Sequence, residues 1–330
     1  MKAFQPNLRL AIRHPLSLFL LFAASAGVLY PANYLFFFEA QGIAGYSSAW
    51  QKAVFYSMGQ WEAMQKPSLG FDYLQRFSGS GGDIATLAVQ ARLAVNAQDG
   101  KSIEPQLYNA YLRWKLGGGY VWVGHNRPKF GLASWFDSHG QLLQPLAMNG
   151  FGFDRDWGFG IERDLSWGNA GVSLTTGSGM PLRFQGNYFL SARVAKGVLN
   201  RDNYMIGLSS AYGKVLDVMG YHLLSEKPAL FEMLSADATW LRNNWENRVE
   251  LMAGKRGDAA AWAVFWRAGV GLLEESRLKI EAQPAVFRMN GKTNVQIAAG
   301  VSYLAAADWT FRVMVQRDRE MKDTRLVLQV

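Results

Sequence analysis

Cysteine is absent from the 330 residues, which excludes a disulfide framework, a thiolate metal site and a cysteine nucleophile. Histidine is scarce, and His14, His125, His139 and His222 stand far apart without metal-ligand spacing, so neither a metal nor a cofactor is expected. The formal charge is +8, yet no helix-turn-helix, zinc-finger or single-strand-binding motif accompanies it. The 34 Lys and Arg are spread along the chain rather than gathered into a tail, and nucleic acid is not expected as a partner. A sustained 3.6-residue period is missing beyond the N-terminal segment, which argues against a helical architecture. Mean hydropathy is only −0.06, too low for a bundle of membrane helices.

What is present begins at the N-terminus. Lys2, Arg9 and Arg13 precede an apolar run, Leu16 to Tyr30, and no acidic residue comes before Glu39. Ala24-Ser25-Ala26 offers a small-x-small cleavage site, so residues 1–26 read as a secretory signal peptide. Its removal takes away three cations and lowers the charge from +8 to +5. The rival reading is an uncleaved anchor, because the charge-free run continues to Phe38; Pro31 and Asn33 interrupt it. Residues 27–68 then form an N-terminal segment, either a first strand or a periplasmic stretch. A cysteine-free exported chain suits the bacterial envelope.

From Leu69 to Val330 the dominant signal is a period of two. In ATLAVQARLAVN (85–96), Leu87, Val89, Ala91 and Leu93 share one face, while Thr86, Gln90, Arg92 and Asn96 share the other. QLYNAYLRWKL sets Tyr108, Ala110, Leu112 and Trp114 against Asn109, Tyr111, Arg113 and Lys115. WENRVELMAG and AWAVFWRAGVGLL repeat the pattern, the second opposing Trp262, Val264 and Trp266 to Ala263, Phe265 and Arg267. Turn signals such as QDG, LGGG and MNGK separate about sixteen such runs, most of roughly 8 to 12 residues. Aromatics collect near run ends: Tyr108, Trp114, Tyr188, Trp240, Trp245, Trp262, Tyr303 and Trp309. Strands of this length, an apolar face and aromatic edges fit a membrane barrel better than a soluble sandwich. The expected fold is all-β: a transmembrane antiparallel β-barrel over 69–330, of about 16 strands within a range of 14–18.

One long interruption, 127–156, breaks the strand pattern and is the expected constriction loop, carrying Arg127, Lys129, Asp137, Asp154, Arg155 and Asp156. Its flanks, VGHNRPKFGLAS (123–134) and FDRDWGFGIERD (153–164), resemble the strand–loop–strand of phosphate-selective-type porins. Gly124, Lys129, Phe130, Gly131, Arg155, Asp156 and Gly158 stand at the matching positions. The resemblance covers about forty residues clearly. It implies a sixteen-stranded barrel in the β-barrel porin superfamily. Phosphate selectivity does not come with it, since the dense Arg/Lys ladder of that family is missing. The chain also ends in Val330 rather than in an aromatic residue.

By the alternation, Arg92, Arg113, Lys115, Arg193, Arg248, Arg267, Arg277, Lys279, Arg312 and Arg325 point into the lumen, against Glu162, Asp237, Glu246, Glu250 and Glu281. A surplus of inward cations favours anions, unless the charges pair with one another. The expected function is that of a water-filled outer-membrane channel for passive diffusion of small polar or anionic solutes. The alternative is a sleeve housing a periplasmic or surface partner such as a multihaem cytochrome; the chain has no haem-attachment motif of its own. Outer-membrane lipid, lipopolysaccharide and two further copies in a homotrimer complete the expected partners. Catalysis is not expected. Ser138-His139 and His222 with Ser225 lack an oxyanion motif, and TTGSGM (175–180) looks like a phosphate-cradling loop but lacks the lysine and the following helix.

Overall fold

The computed structural model describes residues 30–54, 65–95, 103–138 and 141–330. The proposed signal segment 1–26, His139 and Gly140 lie outside them. The chain forms β1 (Tyr30–Gln41), β2 (Ile43–Ser47), β3 (Lys52–Val54), β4 (Ser68–Gly79), β5 (Gly82–Ala94), β6 (Glu104–Leu116) and β7 (Gly119–Asn126) ahead of the long loop. After it come β8 (Asp156–Leu165), β9 (Gly168–Thr175), β10 (Tyr188–Lys196), β11 (Tyr204–Met219), β12 (His222–Arg242) and β13 (Trp245–Arg256). The last are β14 (Ala259–Leu272), β15 (Leu278–Met289), β16 (Lys292–Ala306), β17 (Trp309–Asp318) and β18 (Asp323–Gln329). Every pairing is antiparallel, and from β4 to β18 each strand pairs with the next in sequence.

No single strand closes this ladder. Its two ends are β1 against β4 and β2 against β18, consecutive stretches of one segment joined at Gly42. Gly42 exchanges two backbone hydrogen bonds with Val330, at 2.8 and 2.9 Å. With 30–47 taken as one strand and the three-residue β3 set aside, the count is 16. Fifteen of these strands start at or after Ser68; the sixteenth comes from the segment before it. The short turns 79–82, 116–119, 165–168, 242–245 and 306–309 lie at one end of the barrel, and the long loop enters from the other.

Alternation in the sequence becomes alternation in exposure. Along β11, Ile206 and Leu208 are exposed while Met205, Ser209 and Ala211 are buried; along β14, Val264 and Trp266 are exposed while Ala263, Phe265 and Arg267 are buried. Exposed Leu, Val and Ile side chains around the outer wall form the apolar band that a bilayer solvates. Trp240, Trp245, Tyr303 and Trp309 stand exposed at the turn end of that band, and Tyr188 near the other. One aromatic departs from the sequence reading. Between Gln90 and Ala91 the register of β5 on β6 shifts by one residue, so Tyr108 is a bulge residue. The bulge turns its ring from the lipid face into the interior, where it is 1% exposed.

Register gives a direct test. Val264 lies mid-strand on the outer face, opposite Leu251 and Val286. A charge there costs about 2–4 kcal/mol near the bilayer centre. Val264→Arg is expected to reduce the folded fraction, measured by the mobility of unheated samples after refolding into lipid, while Val264→Leu leaves it unchanged. Equal folding of the two would invert the register.

Candidate functional site

The loop after β7 turns into the barrel. Gly131 has φ +61°, and a Cβ there would collide with the Glu250 carboxylate, so this corner requires glycine. The Gly131 amide donates to Ser209 Oγ at 3.1 Å, and the Leu132 amide donates to Glu250 Oε1 at 2.7 Å. Ser235 Oγ donates to the same oxygen at 3.2 Å. Three wall strands therefore hold one corner of the loop.

Beyond that corner the contacts become apolar. Phe130, Leu132, Leu146 and Phe151 pack on Phe189, Phe231, Met233, Met252, Phe265 and Phe287 from the inner faces of β10 to β15. The rings meet edge to face, Phe130 at 6.2 Å from Phe189 and 6.1 Å from Phe231, and Phe151 at 5.9 Å from Phe287. The wall is therefore not polar throughout: the inner faces of β10 to β15 carry apolar side chains that the loop covers. Farther along, Leu142 and Leu143 join Ile43, Ala298, Met314 and Val327. Arg267 donates to Leu143 O at 2.7 Å and Gln141 Oε1 at 2.9 Å, and Arg256 donates to Gly150 O at 2.6 Å.

On the side of β6 to β9 the loop leaves a polar cavity of about 580 Å³, lined by Tyr111, Arg113, Tyr120, Arg127, Lys129, Trp135, Asp137, Glu162 and Asn169 among others. Two of the acids here each serve two cations. Glu162 meets Lys129 at 2.7 Å and Arg113 at 3.4 Å; Asp137 meets Arg127 at 2.7 Å and Arg155 at 2.8 Å. Arg155, 1% exposed, also pairs with Asp154 and donates to Asn109 Oδ1 at 2.9 Å. Its guanidinium lies 4.4 Å from the Tyr108 ring centroid, and that of Arg92 lies 5.0 Å from it. Burial opposes the charge of Arg155, but Asp154 and Asp137 outweigh it and raise its pKa. Burial lowers the pKa of Lys129, a shift that Glu162 partly offsets.

The structure distributes the other candidate residues unevenly. Arg92 is buried on Gln106 Oε1 at 2.7 Å, and Arg193 is buried against Asp237 at 2.6 Å. Neither side chain is free in open water. Arg248 pairs with Glu246 over the Phe136 ring, Lys279 lies between Glu246 at 2.9 Å and Glu281 at 3.0 Å, and Arg312 reaches Gln329 at 3.3 Å. Lys115 is exposed near the turn end of β6. Arg277 is a correction. It follows the turn 274–276 and donates to Leu304 O and Ala305 O, so it belongs to a rim turn and not to the lumen wall. Arg325 is buried against Asp323 at 3.0 Å.

Asp156 is a second correction. Its carboxylate accepts the amides of Gly177 at 2.6 Å, Ser178 at 3.2 Å and Gly179 at 3.0 Å, with the Thr176 hydroxyl at 2.8 Å. The phosphate-like nest at 175–180 thus holds the chain's own anion, which withdraws Asp156 from the constriction. Of the hydrolase pairs, Ser225 Oγ accepts the Lys227 amide and His222 Nε2 lies 3.8 Å from Glu104. Sequence reasoning placed Glu250 among the inward acids but missed its role as the seat of the loop; the signal was an acid amid Val249, Leu251 and Met252.

Comparison with solved structures identifies the fold. The chain is similar to OmpF of Salmonella typhi, solved with daunomycin (11% identity, covering 90% of this chain and 96% of that one, TM-score 0.63). It is similar to the anion-selective porin of Comamonas acidovorans (11%, 90% and 98%, TM-score 0.60) and to the trimer form of OmpT, an outer membrane protein of Vibrio cholerae (8%, 90% and 98%, TM-score 0.57). No protein-family model and no curated protein sequence matches the chain. At these identities the likeness carries the fold alone: a porin-type transmembrane barrel.

The loop seat is testable. Glu250→Ala leaves the buried Leu132 amide without its acceptor, a cost of about 1–3 kcal/mol, whereas Glu250→Gln keeps a carbonyl oxygen in reach. Amide exchange at 131–133 is expected to rise in the Ala variant and to stay near wild type in the Gln variant.

Proposed function

We propose that this chain is an outer-membrane porin passing small polar solutes by passive diffusion, with a weak preference for anions. The observation that carries the reading is the inward-folded loop beside a polar cavity of about 580 Å³. The cavity lining carries Arg113, Arg127, Lys129, Arg163 and Arg193 against Asp137, Glu162 and Asp164, two cations in excess. Such an excess lowers the barrier for anions only modestly, since salt screens charge over about 8 Å. The named neighbours support the channel reading: one is itself an anion-selective porin, and another is a trimer, consistent with a homotrimer here. The 123–134 and 153–164 motifs support a relation to phosphate-selective-type porins without their selectivity.

The sleeve reading is disfavoured by occupancy. Phe130, Leu146 and Phe151 fill the interior against β10 to β15, in space that a multihaem insert would need. Signal cleavage after Ala26 and contact with lipopolysaccharide remain parts of the proposal that follow from export to the outer membrane.

Single-channel recording in planar bilayers tests the function. The purified barrel is expected to conduct, with a small reversal potential on the anion side in a salt gradient. Arg127→Glu with Lys129→Glu is expected to move it toward cations, and deletion of 134–150 to raise conductance. A folded barrel that never conducts would refute the channel, and unchanged selectivity would move the passage away from this cavity.

A further inference from the structure

The outer wall carries a feature that a uniform lipid-facing surface does not need. Over β9 to β13 it carries two adjoining open apolar hollows of about 510 and 660 Å³ that share Val172, Ala192, Ser210, Leu234 and Ala253. Register explains the shape. Ser210, Leu234 and Ala253 form one row across β11, β12 and β13, and Leu208, Ala236 and Leu251 form the next. Large side chains thus stand beside small ones, leaving a furrow with leucine walls.

Toward the loop end the furrow meets charge. The next outward row is Tyr212, Glu232 and Lys255, and Lys214 lies one step beyond Tyr212. All four side chains are exposed, and among the described residues none of the three charged ones has an ion-pair or hydrogen-bond partner. The two lysines against one carboxylate leave a single positive charge at the mouth of an apolar groove. Lysines at this boundary attract anionic headgroups, and an acyl chain gains from burying its methylenes.

The geometry points to a specific lipid site: a membrane lipid bearing one phosphate and headgroup hydroxyls binds here. Its phosphate lies between Lys214 and Lys255, a hydroxyl donates to Glu232, and one acyl chain lies in the furrow past Ser210 and Ala236. The net charge of the mouth complements a singly charged phosphodiester, and Glu232 complements hydroxyl donors.

Phosphatidylglycerol titrated into the full barrel in nonionic detergent, read by native mass spectrometry, tests the site. Tight one-to-one adducts are expected, and Lys214→Glu with Lys255→Glu is expected to weaken them by at least about 30-fold. The milder Lys214→Gln with Lys255→Gln should act in the same direction, and Ser210→Leu with Ala236→Leu should fill the furrow and displace the lipid. Unheated electrophoretic mobility checks folding in each case. Retention by all three variants, equal binding of diacylglycerol, or displacement of the lipid by millimolar inorganic phosphate would each overturn the proposal. None of these outcomes depends on conductance, so the channel reading stands or falls separately.

Discussion

The seat of one loop against one side of the barrel wall governs the interior. An empty sixteen-stranded barrel would hold a wide aqueous lumen. Here β10 to β15 present Phe189, Phe231, Phe265 and Phe287 inward, a surface that water solvates poorly. Phe130, Leu132, Leu146 and Phe151 cover it, and a fully buried side chain of this type contributes about 1.5–3 kcal/mol. Because the apolar wall occupies one side only, the loop must lie to that side. The polar cavity is what remains on the other.

Electrostatics then follow from the same seat. Tyr108, turned inward by its bulge, offers a ring that Arg155 and Arg92 both approach, and the loop brings Asp137 and Asp154 to Arg155. A buried guanidinium is costly unless its partners are complete, and here two carboxylates, an amide oxygen and a ring surround it. The resemblance motif acquires a physical content. Its arginine is this buried anchor, its aspartate fills the 175–180 nest, and its Gly131 makes room for Glu250.

The outer wall was legible from sequence because lipid imposes one rule on every strand. A period of two, runs of similar length and aromatic edges were enough to give an all-β barrel of about sixteen strands. The first strand bears no such mark, since Tyr34 to Phe38 is apolar on both faces and carries no alternation. Tyr108 escapes the alternation because a bulge adds one residue and inverts parity, with no local sequence mark. Arg277 shares the alternation of the run SRLKIEAQ, although the strand itself begins only at Leu278.

The inner wall obeys no comparable rule, and there the reading was partial. A residue facing the lumen answers to whatever lies opposite, which for most positions is a loop distant in sequence: Glu250 and Leu132 are 118 residues apart, and Arg267 and Leu143 are 124. Phe265 stands on the same face as Arg267, two residues on, and breaks the polar character of that face. An aromatic residue facing inward, on a strand whose outer face already supplies the lipid contact, has no bilayer reason to be there. It implies an apolar partner inside the barrel. In this chain the one long segment free to supply that partner was 127–156, with Phe130, Phe136, Phe151 and Phe153 along it. Inward aromatics on the wall and surplus aromatics in a long loop are two halves of one packing requirement. Together they locate a folded-in loop more securely than its charges do.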